Sequence, residues 1–412
     1  MKSTDSLRRL FRLAVALIFL SGALAPGAFD AFAQSRRTPP QAPQKKNQRP
    51  GEGDKKTGEQ PQDPVPADIV QQEADAVSVS TALVNVETVV YHKKTGKIIT
   101  GLKKENFAIF EDGVRKDISN FSTPEAPITV AVVLEYSKLG QAMGYYGSGG
   151  MEPGQFEVLR PMAMFLSQFI KPPEDYVSVV AYDMRPTPLT DFTNDPQRIN
   201  QVISLLLRNR PASSEANLFD ALKLVLVGGR GDSVVLEDSK ERTAEYAGMA
   251  SLQGRRKAVF LITTGIDTFS KINYDQARKI AQGAGVPIYI IGTGELFFKK
   301  YGDRLDATDG LGGATTPGRL TLLQARNALK TFANETGGEY FPITFEGELP
   351  SALQSINALM RNQYSLAYNP GDIRDGKRRK LVVKVDVDGD GQFDEKEFIV
   401  KNRQFYIPKK ES

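Results

Sequence analysis

From residue 128 onward the chain alternates two kinds of segment at short intervals, and this alternation limits the fold more than any other feature. Residues 128–134 form a continuous apolar run rich in β-branched side chains, the composition of a strand covered on both faces. Residues 157–170 read as a helix and 176–182 as a strand. Ile199, Val202, Ile203 and Leu206 then recur at helical spacing, with Pro196 suited to a first turn. Leu218, Ala221, Leu222, Val225 and Leu226 repeat that stripe. Residues 258–263 and 287–291 read as further strands, 320–334 and 350–361 as further helices. Wholly apolar strands separated by amphipathic helices predict an α/β fold over 126–362, a doubly wound parallel sheet with helices on both faces. Sheets of this kind bind at the carboxyl ends of their strands.

Strand-like segments flank this region. In 77–125, a small N-terminal β module, Val84, Val86, Thr88 and Val90 alternate on one face, and a Lys-Thr-Gly turn follows at 94–96. Asp112-Gly113 between two strand-like runs is a hairpin signal, and Pro124 and Pro127 mark the boundary. At the other end, 363–412 reads as C-terminal strands forming a β-hairpin around an acidic loop. Asp386, Asp388, Asp390, Asp394 and Glu397 fall at positions 1, 3, 5, 9 and 12 of a twelve-residue calcium loop, with Gly391 at the sharp turn and the Gln392 carbonyl at position 7. The runs on either side, 381–385 and 398–400, are β-branched and apolar, so a two-helix EF-hand sensor is not expected. Two readings stay open for the loop: a Ca²⁺ site, or a solvated acidic turn without metal.

The N-terminus carries a targeting pattern. Lys2, Arg8, Arg9 and Arg12 precede the apolar run 13–20, and Ala31-Phe32-Ala33 offers a cleavage site before Gln34. Residues 1–33 therefore read as a cleavable signal peptide, with Arg8-Arg9 compatible with twin-arginine export, and the expected location is periplasmic or secreted. From Gln34 to about residue 68 there is no Leu, Phe, Tyr or Met, so 34–76 reads as a disordered linker. The chain has no cysteine, which excludes disulfides, thiolate zinc sites and cysteine nucleophiles, and a single histidine, His92, leaves no material for Ser-His-Asp chemistry. The net charge is only +4 and much of the basic excess lies in the signal and the tail after it, so there is no concentrated nucleic-acid footprint, and no phosphate-binding loop or other small-molecule cofactor motif is present.

Four segments in order carry a resemblance: residues 101–121 (GLKKENFAIFEDGVRKDISNF), 217–222 (NLFDAL), 259–270 (VFLITTGIDTFS) and 363–370 (QYSLAYNP). Together the chain resembles the von Willebrand factor A-related domain family of Acidobacteria, from about residue 84 to 407. The resemblance implies a von Willebrand factor A-like domain that binds a protein partner and has no enzymatic activity. It also implies a divalent-ion site at the strand ends, built from Asp-x-Ser-x-Ser, a threonine and an Asp-Gly. Here those positions hold Glu135, Ser137 and Leu139, then Ala216, then Thr264 before Gly265, a degenerate adhesion site. Mg²⁺ demands near-octahedral oxygen coordination, so the crevice is expected to work without it. Tyr145 and Tyr146, in the glycine-rich loop 140–151, are candidates for partner contact. The rival from another class is an envelope hydrolase using Glu135, Ser137, Lys138 and Asp267 as acid, base and nucleophile. Arg230-Gly231-Asp232 matches an adhesion tripeptide, a length at which chance matches are frequent.

Overall fold

The computed structural model describes residues 83–143, 155–232, 243–252, 255–307, 317–371 and 375–408. The expected signal peptide, the linker, Tyr145 and Tyr146 lie outside the described residues.

Among the described residues the first strands are β1 (Val84–His92), β2 (Phe107–Glu111), β3 (Val114–Lys116) and β4 (Ile118–Ser122). Asp112 and Gly113 join β2 to β3 with φ of 48° and 85°, the left-handed pair that a tight two-residue hairpin turn requires. The α/β region follows. Its strands are β5 (Ile128–Glu135), β6 (Tyr176–Tyr182), β7 (Pro186–Thr193), the short ribbon β8 (Gly229–Asp232) with β9 (Thr243–Tyr246), then β10 (Arg256–Thr263), β11 (Ile288–Gly292) and β12 (Tyr340–Pro342). Its helices are α1 (Lys138–Met143), α2 (Gln155–Phe169), α3 (Pro196–Arg208), α4 (Leu218–Val227), α5 (Tyr274–Ala284), α6 (Gly294–Tyr301), α7 (Arg319–Thr336) and α8 (Leu349–Arg361). The last strands among the described residues are β13 (Tyr364–Tyr368), β14 (Arg379–Val385), β15 (Phe398–Asn402) and β16 (Phe405–Tyr406).

The central sheet has the order β12-β11-β10-β5-β6-β7, parallel except for the edge strand β7. Side chains alternate across it. Ile128, Val130 and Val132 of β5 join Ala258 and Phe260 of β10 in a core capped by α2, α3 and α8. Ala131 and Val133 join Val259 and Leu261 in a second core under α4, α5 and α7. Both faces are covered, which is why β5 and β10 are buried at every position and mostly apolar. Local signals start the helices: Asp195 accepts from Gln197 N at 2.8 Å with Pro196 in the first turn of α3, and Asn273 and Gln276 form a capping box on α5.

The terminal segments fold together. Two four-stranded sheets, β15-β1-β13-β4 and β16-β14-β2-β3, enclose a core that includes Val86, Val90, Ile109, Tyr364, Leu366 and Val383. The β strands expected separately in 77–125 and 363–412 thus share both sheets. The C-terminal hairpin is corrected: β14 pairs with β2 and β16, whereas β15 pairs with β1. The acidic loop 386–397 crosses from one sheet to the other instead of closing a hairpin. Each sheet has its own apolar face to complete, and a loop of this length spans the roughly 10 Å between packed sheets.

The α/β region is inserted into this sandwich, and the junction is held by buried charge. Arg256 is 2% exposed; its guanidinium donates to Ala126 O at 2.8 Å, Met360 O at 3.2 Å, Arg361 O at 3.1 Å and Gln363 O at 3.4 Å. One side chain therefore grips both places where the chain crosses between sandwich and sheet. Arg403, also buried, donates to Gln282 O at 2.8 Å and Asn85 O at 3.3 Å. A Cβ on Gly337, whose φ is 84°, would lie 2.7 Å from the Arg403 amide nitrogen, so this seam admits only glycine there.

Glu87 of β1 faces the same junction. One carboxylate oxygen accepts from Ser365 Oγ at 2.9 Å and the other has no partner. Burial pushes this carboxyl from 4.5 up to about 7, with Ser365, Lys257 and Arg256 opposing the rise. Below pH 4.5 both folded and unfolded chains hold the proton; between 4.5 and about 7 the unfolded chain releases it first, so this contribution to stability falls as pH rises and then levels off. Urea unfolding at about pH 5 and about pH 7.5 is expected to show a loss of about 2 kcal/mol that Glu87→Gln removes. An equal loss in the variant would show that Glu87 is not the group responsible.

Candidate functional site

Glu135 ends β5, and the strand delivers its carboxylate to the carboxyl end of the sheet, 1% exposed. Oε2 accepts from Thr263 Oγ1 at 2.9 Å, Thr264 N at 2.8 Å and Thr264 Oγ1 at 2.8 Å. Oε1 accepts from Ser137 Oγ at 3.0 Å, and Ser137 Oγ in turn accepts from Gly140 N at 2.9 Å. Tyr182 completes the network through Thr263 Oγ1 at 2.7 Å. Four donors nearly fill the lone pairs of one carboxylate. Burial still dominates and pushes the Glu135 carboxyl up, with the donors to it pulling the other way. Space is tight: a Cβ on Gly140 would meet Oε1 at 3.0 Å and Ser137 Oγ at 3.3 Å.

Two departures from the adhesion-site pattern compensate each other here. Glutamate is one methylene longer than aspartate and reaches across from β5 to the end of β10. It finds there a threonine, whose hydroxyl donates, where a second carboxylate would repel. The other departures turn away from the crevice. Leu139 packs with Met143, Ile266, Leu322 and Ala325. Ala216 is buried, its backbone paired with Thr268 through Ala216 N to Thr268 Oγ1 and Thr268 N to Ala216 O, both 2.9 Å. Leu139 and Ala216 offer no side-chain oxygen, and those of Glu135, Ser137 and Thr264 are turned on one another. This set does not fit an octahedral divalent ion.

A second polar corner lies at the start of α4. Asp267 Oδ1 accepts from Phe219 N at 3.1 Å and from Ser270 Oγ at 2.5 Å. Asp220 N donates to Ser270 Oγ at 3.1 Å, and the Asp220 carboxylate accepts from Lys271 N at 2.9 Å and Ile272 N at 3.3 Å. Burial pushes the Asp267 carboxyl up, and the charge of Asp220 adds to the rise. Among the described residues no hydrogen bond joins Ser137 to Lys138 or Asp267, and Lys138 is exposed. Of the hydrolase set, Ser137 bonds to Glu135, a buried carboxylate also held by Thr263 and Thr264, and neither Lys138 nor Asp267 joins that pair.

In the acidic loop, oxygens of Asp386, Asp388 and Asp394 lie within 4.8 Å of one another. Asp386 is held by Gly389 N at 2.7 Å and Gly391 N at 2.8 Å, and Asp394 by Val387 N at 2.7 Å. Gly389 and Gly391 take φ of 78° and 88°, conformations that favour glycine. Asp390 and Glu397 are exposed and stand outside the trio, and Gln392 N donates to Asp390 Oδ1 at 2.7 Å. Three gathered hard oxygens fit Ca²⁺ in chemistry, with the remaining ligands to come from backbone, water or loop adjustment. Thr263, Tyr182 and Asn217 belong to the crevice but gave no sequence signal beyond their places at strand and helix ends.

Residues 147–317 match the family model of the von Willebrand factor type A domain. No curated protein matches the chain. Among solved structures, an aerotolerance-related membrane protein from Bacteroides fragilis is similar at 13% identity over 57% of this chain and 98% of that one, with a TM-score of 0.36. Proximal thread matrix protein 1 from the mussel byssus is similar at 14% identity over 61% of this chain and 50% of that one, TM-score 0.37. The PilB minor pilin from Streptococcus sanguinis is similar at 13% identity over 57% and 62%, TM-score 0.37.

Proposed function

Because the chain carries a von Willebrand factor type A domain over residues 147–317, we propose that it is an exported, non-enzymatic binding protein whose strand-end crevice engages a protein partner without a divalent ion. The observation that carries this reading is the Glu135 network: the one carboxylate at the first motif position is bound by Ser137, Thr263 and Thr264, leaving it neither a metal ligand nor a free acid or base. The geometry of the body supports it as well. Arg256 and Arg403 fasten the sandwich to the sheet through the Ala126, Met360 and Gln282 carbonyls, near the amino ends of β5 and β10 and the carboxyl ends of α8 and α5. The carboxyl ends of β5 and β10, where Glu135 and Thr263 lie, are at the other end of the sheet from this junction. Export rests on the N-terminal charge and apolar pattern; among the described residues no helix is long and apolar enough to cross a membrane.

The test is capture of partners from envelope extract by wild type and by Asp267→Asn, each with Mg²⁺ and with chelator. The expected result is a protein captured equally in both buffers by wild type and lost with the crevice variant. Capture that requires Mg²⁺ would overturn the metal-free reading, and capture indifferent to the variant would place binding elsewhere.

The acidic loop adds a structural Ca²⁺ site to the proposal. An ion held by Asp386, Asp388 and Asp394 would tie the crossing between the two sheets and bind the unfolded chain poorly. Stability is then expected to rise by about 2.7 kcal/mol at a hundredfold excess over Kd. The open side of the trio argues for weak binding, about 10⁻⁴–10⁻³ M, as in extracellular modules. Thermal unfolding of wild type and Asp386→Ala, each with Ca²⁺ and with chelator, measures it. Equal shifts in the two proteins would reduce the loop to a solvated turn.

A further inference from the structure

We propose that the crevice corner formed by Asn217, Asp220 and Asp267 receives a cationic side chain, lysine or arginine, from the partner protein. The proposal rests on the binding reading above and assigns that partner a chemistry.

Asn217 supplies the central observation. It occupies the N-cap of α4, where an asparagine normally accepts from the first-turn amides, yet it makes no cap bond. Those amides are taken: Phe219 N goes to Asp267 and Asp220 N to Ser270. The Asn217 amide is oriented by Nδ2 donating to Met184 O at 2.6 Å, which leaves Oδ1 without a partner in a residue 4% exposed. A buried acceptor left unpaired keeps its desolvation penalty, and only a donor relieves it. Hydrogen bonds from Ala216 to Thr268 and from Phe219 to Asp267 join the two loops at the residues that flank Asn217 in the chain.

The neighbouring groups narrow the donor to a cation. Asp220 and Asp267 repel each other, and among the described residues neither forms an ion pair with a side chain. Lys138, Arg185 and Lys271, the cations of these loops, are exposed. The crevice residues do not fit a divalent ion that would neutralise the carboxylates. An incoming carboxylate would find no donor in the two aspartates or the Asn217 oxygen, whereas a guanidinium brings five donors and an ammonium three. Arginine suits the corner better, because its fork can meet a carboxylate and the Asn217 oxygen together.

Fluorescence anisotropy with labelled, end-capped hexa-arginine, hexalysine and hexaglutamate peptides tests this on the full chain, in chelator at about 0.15 M salt. Hexa-arginine is expected to bind, hexaglutamate not. Asp267→Asn, which keeps the Oδ1 acceptor for Phe219 N, and Asn217→Ala are each expected to weaken hexa-arginine by about tenfold or more. Asp220→Asn gives a second reading should either variant fail to fold. The distant pair Asp388→Asn and Asp390→Asn is expected to leave binding unchanged; if that pair abolishes it, the acidic loop is the site and the proposal fails. It fails equally if hexa-arginine does not bind or if the crevice variants retain it. Hexaglutamate binding lost in Asn217→Ala would refute the cation while leaving a protein-binding crevice in place.

Discussion

Arg256→Ala is expected to cost about 3–5 kcal/mol of stability, the range for removing one member of a buried charged network. The side chain does three things at once. It satisfies the Met360 and Arg361 carbonyls, two of the orphan acceptors at the end of α8, where a positive charge also favours the helix dipole. It holds Ala126 O before β5 and Gln363 O before β13, so both crossings into the sandwich depend on it. Its charge also lies near Glu87 and Asp175. Alanine removes the guanidinium donor from these buried and part-buried carbonyls. Arg256→Lys is expected to recover only part of the loss, because an ammonium cannot span both crossings as the guanidinium does. Urea unfolding followed by tyrosine fluorescence and by far-ultraviolet circular dichroism provides the measurement. A loss below about 1 kcal/mol in the alanine variant would mean that the sandwich and the sheet hold together without this clamp.

The same junction shows what a sequence can and cannot reveal. The apolar runs and helical stripes between 128 and 361 were legible because burial on both faces leaves a local mark at every position. Asp112-Gly113 was legible because its backbone conformation needs those residue types. The pairing of β1 with β13 and β15 was not, since alternation tells which face of a strand is buried and nothing of which strand lies beside it. The strand expected from residue 258 begins at Arg256, because an arginine and a lysine read as a solvent edge while here both are buried against carbonyls. In the crevice, the family resemblance pointed to Glu135, Ser137, Leu139, Ala216 and Thr264 and to the missing oxygens. It gave no means of seeing that Glu135 and Thr264 bond to each other, because that contact depends on the length of one side chain across two strands.

That contact sets the second large effect. Glu135→Ala removes an acceptor from the hydroxyls of Ser137, Thr263 and Thr264 and from the Thr264 amide, all buried. The expected loss is about 3–5 kcal/mol, above that of an ordinary cavity of this size, since several donors are stranded together. Two further variants separate the causes. Glu135→Gln keeps the size and one acceptor oxygen but places an amide nitrogen among donors, so about 1–3 kcal/mol is expected. Glu135→Asp restores the residue of the adhesion-site pattern and shortens the reach to Thr264, so it too is expected to destabilise. Because Leu139 and Ala216 still lack oxygens, the aspartate variant should gain no stability from Mg²⁺. Melting temperatures of the three variants with Mg²⁺ and with chelator decide the matter. An aspartate variant as stable as wild type, or one stabilised by Mg²⁺, would show that the carboxylate still serves an ion and that the network around Glu135 is incidental.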